Sequence, residues 1–281
     1  NITKSSMVND RIVIFGAGGM LGTALVKIFK NSNVYAFTKA QVDITSKSRV
    51  LAKIREIMPG IVINSAAYTD VDGCERNKEL AFNVNGRAVK VIAQACRKNN
   101  AIMVHMSTDY IFDGRKKYYK ENDKANPISI YGKSKMLGEK SLMETLDNYY
   151  LIRASWLFGP NSKNFVDTIL RIAKEKKEIK VVNDQFGKPT YAIDLAKKIR
   201  EVIYGRKAFG IYHITNEGVC NWFEFARKIV QFAKLKTKVL PIKSAQLGRP
   251  AKRPEYSALL NTKLQPLRHW SLALREYIGV K

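Results

Sequence analysis

The chain has 281 residues, of which 46% are hydrophobic and 26% are charged. These proportions are typical of a globular protein and argue against a disordered one. No stretch approaches the roughly 20 consecutive apolar residues of a membrane helix, and the polar first ten residues lack the apolar core of a signal peptide. We therefore expect a cytoplasmic protein with no membrane partner, in which Cys74, Cys96 and Cys220 are reduced.

The charge of the chain is strongly unbalanced. Lysine and arginine total 49 against 24 for aspartate and glutamate, which gives a net charge of +25. Such an excess favours anionic partners, whether nucleic acid, a membrane surface or a phosphorylated substrate. The lysines are scattered along the chain and no RNA-binding signature accompanies them, so we expect no nucleic acid partner, although charge alone does not identify the anion.

Short apolar runs alternate with helical patterns from residue 11 onwards. The predicted strands cover residues 11–15, 34–37, 61–64, 101–106 and 149–153. The predicted helices cover 20–30, 49–58, 81–98, 131 to about 146, 165–174, 192–203 and 222–233. Strands that alternate with helices of about 10 to 18 residues predict a parallel sheet with helices on both faces.

The turn between the first strand and the first helix carries glycines at positions 16, 19 and 22. The first glycine permits a tight turn, the second lets the backbone approach a pyrophosphate, and the third allows close packing of strand and helix. The helix N-terminus adds amide donors and the positive end of a dipole. Glycine turns also serve plain chain reversals, but the position directly after the first strand favours dinucleotide binding.

The end of the second strand bears on the choice of nicotinamide cofactor. NAD-binding versions of the fold place a carboxylate there to accept from the ribose hydroxyls. Here the strand runs into Lys39, and Asp43 comes only later. A lysine can receive the 2′-phosphate of NADPH, so we predict NADPH, with NADH possible and a solvated loop lysine as the alternative reading.

The alternating elements and the glycine turn together predict the fold class. We predict an α/β protein with a Rossmann-type doubly wound parallel sheet and a smaller C-terminal α/β substrate lobe. Residues 1–10 are expected to form a flexible N-terminal tail and residues 11–153 an NAD(P)-binding domain. Residues 154–281 are expected to form mainly the substrate-binding lobe, with the chain crossing between the lobes.

Three residues form a candidate catalytic set. Thr108 follows a predicted strand and therefore lies at the carboxyl edge of the sheet, where active sites of open α/β sheets form. Tyr131 and Lys135 are four residues apart and share one helical face. A lysine ammonium beside a tyrosine favours the phenolate, and we expect it to lower the pKa of Tyr131 for acid–base work.

Several further segments match a known family. They are residues 16–22 (GAGGMLG), 43–45 (DIT), 64–72 (NSAAYTDVD), 83–85 (NVN), 107–114 (STDYIFDG), 130–135 (IYGKSK), 153–159 (RASWLFG), 184–190 (DQFGKPT) and 249–254 (RPAKRP). The chain resembles, over nearly its whole length, the extended branch of the short-chain dehydrogenase/reductase superfamily. Within that branch it resembles the dTDP-4-dehydrorhamnose reductase family.

The resemblance implies an NAD(P)H-dependent oxidoreductase of nucleotide-sugar biosynthesis, which reduces the C4 ketone of dTDP-4-dehydro-L-rhamnose to dTDP-L-rhamnose. It implies that Tyr131 protonates the C4 oxygen, that Lys135 holds the nicotinamide ribose and that Thr108 hydrogen-bonds the sugar oxygen. The residues expected at the cofactor are Gly16, Gly19, Met20, Leu21, Gly22, Lys39, Asp43, Ile44, Ala66, Ala67, Tyr68 and Lys135. Those expected at the substrate are Thr108, Asp109, Tyr110, Trp156 and, for the diphosphate, Arg253.

One departure from the family pattern concerns metal. Some members dimerise through a metal bound by glutamates, one of them two residues past the last glycine of the turn. Ala24 stands at that position, so we predict no such metal, which argues against a metal-bridged dimer and leaves the oligomeric state open. Three alternatives also stay open: a sugar-nucleotide 4-epimerase or dehydratase, a non-catalytic regulatory subunit of the same fold, and, on charge alone, a nucleic-acid-binding protein.

Overall fold

A computed structural model describes residues 11–279, and the predicted N-terminal tail lies outside the described residues. The strands are β1 (Arg11–Phe15), β2 (Asn33–Phe37), β3 (Ile61–Asn64), β4 (Ile102–Thr108), β5 (Tyr118–Tyr119), β6 (Tyr149–Ala154), β7 (Leu157–Phe158), β8 (Glu178–Val182), β9 (Phe186–Gly187), β10 (Thr190–Tyr191), β11 (Gly210–His213), β12 (Cys220–Asn221), β13 (Lys238–Ile242) and β14 (Ala258–Leu259).

The helices are α1 (Met20–Ile28), α2 (Lys47–Ile57), α3 (Val71–Arg76), α4 (Lys78–Phe82), α5 (Ala88–Lys98), α6 (Ile130–Met143), α7 (Phe165–Glu175), α8 (Ala192–Tyr204), α9 (Trp222–Phe232) and α10 (Trp270–Gly279). A π-helical turn, Asn83–Arg87, joins α4 to α5. Across residues 11–279, no helix has both the length and the apolar character that crossing a bilayer would require.

Six parallel strands form the central sheet in the order β11-β6-β4-β3-β1-β2. The chain moves from β1 to β2 on one side and then returns to place β3 on the other side of β1. Connections therefore leave in opposite directions at β1, which opens a crevice at the carboxyl ends of β1 and β3 where ligands of open α/β sheets bind. The predicted fold class, a doubly wound parallel sheet with a further C-terminal α/β part, is confirmed.

Helices cover both faces of this sheet because alternate residues of its strands are apolar and point to opposite sides. In β1, Ile12 and Ile14 belong to the core under α1 and α8, whereas Val13 and Phe15 belong to the core under α2 and α5. All four side chains are buried. Burial on both faces explains why this strand is an uninterrupted apolar run.

A third core lies after residue 154, where β8 and β13 pair in parallel beside α7, α9 and α10. Its largest fully buried side chains are Phe158, Phe225 and Tyr277. The chain nevertheless returns to the central sheet, since α8 packs in the core of α1 and β11 pairs with β6. The division into a dinucleotide domain and a substrate lobe at residue 154 stays a prediction.

Candidate active site

The glycine turn is closed tightly against the loop that follows β3. Gly16 has a φ of +78°, and a Cβ atom there would lie 2.5 Å from the backbone nitrogen of Ala66. A Cβ on Gly22 would lie 2.1 Å from the carbonyl oxygen of Gly16. Gly19 is the N-cap of α1 and provides no side-chain cap, so the helix N-terminus is left available to an anion.

A first cavity of about 340 Å³ lies over the carboxyl ends of β1 and β3. Eight of the residues expected at the cofactor line it, namely Gly16, Gly19, Lys39, Asp43, Ile44, Ala66, Ala67 and Tyr68. The Asp43 carboxylate accepts from the backbone N–H and hydroxyl of Thr45. These two hydrogen bonds, helped by Lys39, hold the pKa of Asp43 below its usual value. The ammonium of Lys39 is exposed at the same cavity.

A second cavity of about 370 Å³ adjoins the first one. The two cavities share Gly19, Ser65 and Ala67 and therefore meet in front of the N-terminus of α1. The remaining cofactor residues and most of the predicted catalytic and substrate residues line the second cavity: Met20, Leu21, Gly22, Thr108, Asp109, Tyr131, Lys135 and Trp156. The pair of cavities thus forms one continuous trough across the switch point of the sheet.

Tyr131 and Thr108 reach this trough from two elements. Ser129 caps α6 by accepting from the backbone N–H of Gly132, which places Tyr131 in the first helical turn. Thr108 is the last residue of β4 and lines the same cavity as Tyr131. Burial raises the pKa of Tyr131, and the Thr108 hydroxyl opposes that rise only in part.

Lys135 lies one turn further along α6 and is buried. Its Nζ donates to the carbonyl oxygen of Met106, 2.5 Å away. Burial lowers the pKa of Lys135 to about 8, although the charge of Glu139 opposes the change. Lys135 is not among the groups that shift the pKa of Tyr131 in this structure, and the expectation that it lowers that pKa stays a prediction.

Asp109 follows Thr108 and is 2% exposed. Its Oδ1 accepts from the Thr108 hydroxyl at 3.1 Å, whereas its Oδ2 has no hydrogen-bond partner among residues 11–279. Burial raises the pKa of Asp109 to about 7, against weaker effects of the Ser257 and Thr108 hydroxyls. A carboxyl group so placed changes its charge near neutral pH.

Trp156 is an aromatic wall of the second cavity, and Tyr110 packs against Tyr131. Trp156 has a φ of +49°, which is rare for a large side chain and marks a constrained position. Its indole stacks on Trp222 with ring centres 3.6 Å apart, and Gly187 leaves room for it. Tyr110 meets Tyr131 edge to face at 5.8 Å.

Of the residues expected at the substrate, Tyr110 and Arg253 do not line the second cavity. Arg253 lines a different one. Its guanidinium pairs with both carboxylate oxygens of Asp72, at 3.0 and 2.9 Å. Arg249 also reaches Asp72, at 3.2 Å. Arg253 lines a third cavity of about 320 Å³ together with Arg249 and Lys252. The assignment of Arg253 to the substrate diphosphate stays a prediction. Its ion pair with Asp72 could not be predicted from the spacing of residues in the sequence.

Asn85 is a structural residue of the site that the sequence prediction missed. Its side-chain amide accepts from the backbone N–H of Tyr68 and donates to the carbonyl of Tyr68 and to the hydroxyl of Ser134. It thus fixes the loop after β3 against α6 and holds the two sides of the trough together. The sequence did contain a signal that Asn85 belongs to the site, because this residue is part of the NVN segment that matches the family.

Further lining residues were also not predicted. In the first cavity they are Gly18, Val42, Ser65, Leu80 and Val84. In the second they are Ser65, Thr69, Met106, Ser107, Ala154, Ser155, Leu157, Ser162 and Lys163. Most flank a motif residue by one or two positions, so the motifs located the trough but not its full lining.

Ala24 is buried in α1. Within the described range, no three His, Cys, Asp or Glu side chains are grouped closely enough to hold a metal ion. The oligomeric state and the absence of a bridging metal stay predictions.

The parallel sheet with its glycine turn and the Thr108, Tyr131 and Lys135 set define a short-chain dehydrogenase/reductase of the extended type. The family model described as the RmlD substrate binding domain matches residues 10–280, and the chain belongs to this family. It is 40% identical over 271 residues to a dTDP-4-dehydrorhamnose reductase of Aggregatibacter actinomycetemcomitans, covering 91% of this chain and 92% of that protein.

Two further relatives agree with this assignment. The chain is 38% identical over 275 residues to the spore coat polysaccharide biosynthesis protein SpsK of Bacillus subtilis, covering 95% of this chain and 96% of that protein. The solved structure of dTDP-4-dehydrorhamnose reductase from Bacillus anthracis in complex with NADP matches with a TM-score of 0.94 at 38% identity. That match covers 97% of this chain and all of the other.

Proposed function

We propose that this protein reduces the C4 ketone of dTDP-4-dehydro-L-rhamnose to dTDP-L-rhamnose with NADPH as reductant. The observation that carries the proposal is that Thr108, Tyr131 and Lys135 line one cavity, which adjoins the glycine turn. Relatives named for this activity cover nearly the whole chain. Together these findings favour the reductase over the alternatives left open above.

The residues present fit a dinucleotide. Gly16 and Gly22 close the turn so tightly that no side chain could be added without a clash, and no side chain caps the N-terminus of α1. The first cavity would hold the adenosine half, with Lys39 beside the 2′-phosphate, and the second cavity would hold the nicotinamide half, with Lys135 at the ribose. When bound there, the nicotinamide supplies the hydride. The NADP complex of the Bacillus anthracis relative supports NADPH as the cofactor.

Tyr131 holds the proton that the reaction consumes. Because burial raises the pKa of Tyr131, its phenol stays protonated at neutral pH and can donate to the oxygen at C4. Thr108 lines the same cavity and orients the reacting sugar oxygen towards the phenol. Lys135 adds positive charge to the cavity and stabilises the developing negative charge on oxygen.

The sugar is held by the walls of the second cavity in this proposal. Trp156 packs against the ring face, and Asp109, with one unpartnered oxygen, contacts the sugar hydroxyls together with Tyr110. Arg253 binds the diphosphate from the neighbouring cavity, where the basic cluster also includes Arg249. We propose a cytoplasmic location and no nucleic acid partner.

The experiment is to follow oxidation of NADPH and NADH with dTDP-4-dehydro-L-rhamnose, comparing the wild-type protein with Tyr131→Phe. We expect turnover by the wild type and a loss of at least about 100-fold in the variant, since the proton donor is removed. Tyr204→Phe is the matched control, because Tyr204 is half exposed on α8, remote from the trough. Absence of turnover with either cofactor, despite measurable nucleotide binding, would contradict the proposal and favour an epimerase or a regulatory subunit.

A further inference from the structure

The carboxylate of Asp72 holds the loop that carries Arg253. Its Oδ1 accepts from the backbone N–H of Ala251 at 3.2 Å and from Nη1 of Arg253 at 3.0 Å. Its Oδ2 accepts from Nη2 of Arg253 at 2.9 Å and from Nη1 of Arg249 at 3.2 Å. These bonds fill the acceptor positions that a carboxylate offers. Asp72 is therefore committed to this loop and has no acceptor position left for a ligand.

The guanidinium of Arg253 keeps one free edge. A guanidinium has five N–H groups. Both on Nη1 are used, one by Asp72 and the other by the carbonyl of Ala251 at 2.9 Å, and Nη2 gives one hydrogen to Asp72. The N–H of Nε and the second hydrogen of Nη2 have no hydrogen-bond partner among residues 11–279. These two N–H groups are adjacent and parallel, and such a pair matches two oxygens of a phosphate.

The cavity beside Arg253 is basic. Arg249, Lys252 and Arg253 line this space of about 320 Å³, and none of the described residues that line it is Asp or Glu. Asp72 pairs with Arg253 without lining the cavity, so the cavity keeps an excess of positive charge after Asp72 is counted. A diphosphate in this cavity can meet the free edge of Arg253 without breaking the pair with Asp72.

Asp72 is itself held in place by its helix. It lies in the first turn of α3. Glu75 of the same helix accepts from the backbone N–H of Ile130 at 2.9 Å, and Ile130 directly precedes Tyr131 at the start of α6. The carboxylate that holds Arg253 is thus anchored to the helix that carries the proposed proton donor.

We propose that Asp72 is a positioning residue for substrate binding, which holds Arg253 end-on so that the free Nε–Nη2 edge receives the substrate diphosphate. The inference rests on the proposed function, which assigns Arg253 to that diphosphate. An arginine side chain loses rotamer freedom when it binds a ligand, and this loss weakens binding. The bonds to Asp72 remove that freedom before the substrate arrives, so the ordered guanidinium binds more tightly than a mobile one.

The ion pair is intact over the pH range of an activity assay. Burial raises the pKa of Asp72, but the bonds from Arg253 and Ala251 outweigh burial and hold that pKa below its usual value. Arginine stays cationic in proteins. The test of the proposal is therefore a substitution and not a change of pH.

The opposite role for Asp72 would be competition with the diphosphate for Arg253. The two roles predict opposite results for Asp72→Asn, because an asparagine amide has one acceptor oxygen and cannot accept from both Nη1 and Nη2 of Arg253 in the same way. Loss of a positioning carboxylate weakens the binding of a diphosphate. Loss of a competing carboxylate strengthens it.

The first test measures the Kd of dTDP by calorimetry for the full-length wild type and Asp72→Asn. We expect the Kd to rise about tenfold, the effect of one charge-assisted contact. The KM for the dTDP-sugar should rise in parallel and kcat should stay within about twofold. The Kd for NADPH should also stay within about twofold, because Asp72 lines neither cavity of the trough. An unchanged or lower Kd for dTDP would overturn the inference.

Glu276→Gln is the matched control for this substitution. It removes a carboxylate partner of Arg268, and neither residue lines a cavity described above. We expect this variant to bind dTDP as the wild type does. A loss equal to that of Asp72→Asn would show that removal of any arginine partner weakens the protein generally, and would overturn the specific role of Asp72.

A double-mutant cycle with Arg253→Gln tests whether Asp72 acts through Arg253. Once the guanidinium is absent, Asp72→Asn should change the Kd of dTDP by less than about twofold. Additive losses would overturn the inference. If Asp72→Asn does not fold, Arg253→Lys decides, since lysine keeps the charge beside Asp72 but lacks the paired N–H edge. We expect about tenfold weaker dTDP binding in Arg253→Lys, and wild-type affinity would overturn the inference.

Binding of dTDP needs no turnover, so failure of this inference and failure of the proposed function are distinguishable. A wild type that binds dTDP with the expected losses in the variants but does not reduce the sugar would contradict the proposed function alone. A wild type that reduces the sugar while Asp72→Asn binds dTDP normally would contradict the inference alone. A wild type that does not bind dTDP would overturn the inference.

Discussion

The guanidinium of Arg153, near the end of β6, forms a two-pronged buried ion pair with the carboxylate of Glu139 on α6. Its Nε lies 3.0 Å from Oε1 and its Nη2 lies 2.7 Å from Oε2. Ser107 of β4 also donates to Glu139, and Arg153 donates to the carbonyl of Glu121. The pair thus fastens α6, which carries Tyr131 and Lys135, to the two strands that end at the site.

Replacing Glu139 should destabilise the fold. Glu139→Gln leaves the Arg153 charge buried without a counter-charge, and removing one partner of a buried pair costs about 3 kcal/mol or more. Urea denaturation measures the change in the free energy of unfolding. Glu144→Gln on the same helix is the control, since its i,i+4 pair with Lys140 is exposed and contributes less than about 0.5 kcal/mol. Equal losses in both variants would show that the buried pair is not the anchor.

Lys135 is predicted to lower the stability of the folded protein although the reaction requires it. Its pKa is about 8 in the folded chain and higher when unfolded, because burial disfavours the ammonium. At pH values between the folded and the unfolded pKa, the unfolded chain binds more protons than the folded chain. The contribution of Lys135 to the free energy of unfolding is therefore least favourable below about pH 8 and rises as the pH increases above that value. Lys135→Met should therefore stabilise the protein at pH 7 by about 1–3 kcal/mol, reduced by the loss of the hydrogen bond to the Met106 carbonyl. The same variant should lose its activity.

Thermal or urea unfolding at pH 7 and pH 10 tests this sign. The advantage of Lys135→Met should shrink at pH 10, where the wild-type lysine is neutral in the folded state. Lys133→Met is the control because Lys133 is exposed on the same helix, and it should change stability little at either pH. A Lys135→Met protein that is less stable than the wild type at pH 7 would contradict the prediction.

The sheet and its glycine turn could be predicted from sequence because their signals are local. The strand at 61–64 was predicted at its observed bounds, and the helix predicted at 165–174 is α7 with one residue more. Both are set by apolar periodicity and by turn residues a few positions away. The YxxxK spacing likewise places Tyr131 and Lys135 on one helical face without tertiary information.

The features that escaped prediction depend on contacts between distant residues. Arg253 pairs with Asp72, which is 181 positions away in the chain. Nothing in the sequence around either residue indicates that these two will form an ion pair. The two-residue strands β5, β7, β9, β10, β12 and β14 are too short to show a period. The raised pKa of Tyr131 follows from burial in the assembled fold, which the spacing from Lys135 does not encode.

Lys39 is predicted to set the preference for NADPH. Its exposed ammonium stands at the first cavity with Asp43 already bound to Thr45, so it is available to a 2′-phosphate. Lys39→Ala should raise the KM for NADPH about tenfold, the effect of one charge-assisted contact, and leave the KM for NADH unchanged. Lys47→Ala, another exposed lysine outside the cavity, is the control. Equal increases for both cofactors would mean that Lys39 does not contact the 2′-phosphate.

Gly187 is predicted to control sugar binding through Trp156. A Cβ at position 187 would lie 2.6 to 2.8 Å from three atoms of the Trp156 ring. The ring also stacks on Trp222 and lines the second cavity, so a shift of the ring in Gly187→Ala disturbs the wall of that cavity. We expect the KM for the dTDP-sugar to rise by about tenfold or more and the Kd for NADPH to change less, because Trp156 does not line the first cavity, where the adenosine half would bind.

Steady-state kinetics and NADPH fluorescence titration separate the two effects of Gly187→Ala. Gly279→Ala is the matched control, since a Cβ at that position meets nothing within 4 Å. Trp222→Phe supplies a second comparison, because a smaller stacking partner gives the displaced Trp156 ring more room and should offset part of the defect when combined with Gly187→Ala. If Gly187→Ala weakens NADPH and sugar binding alike, the substitution acts on the whole trough and Trp156 is not its route.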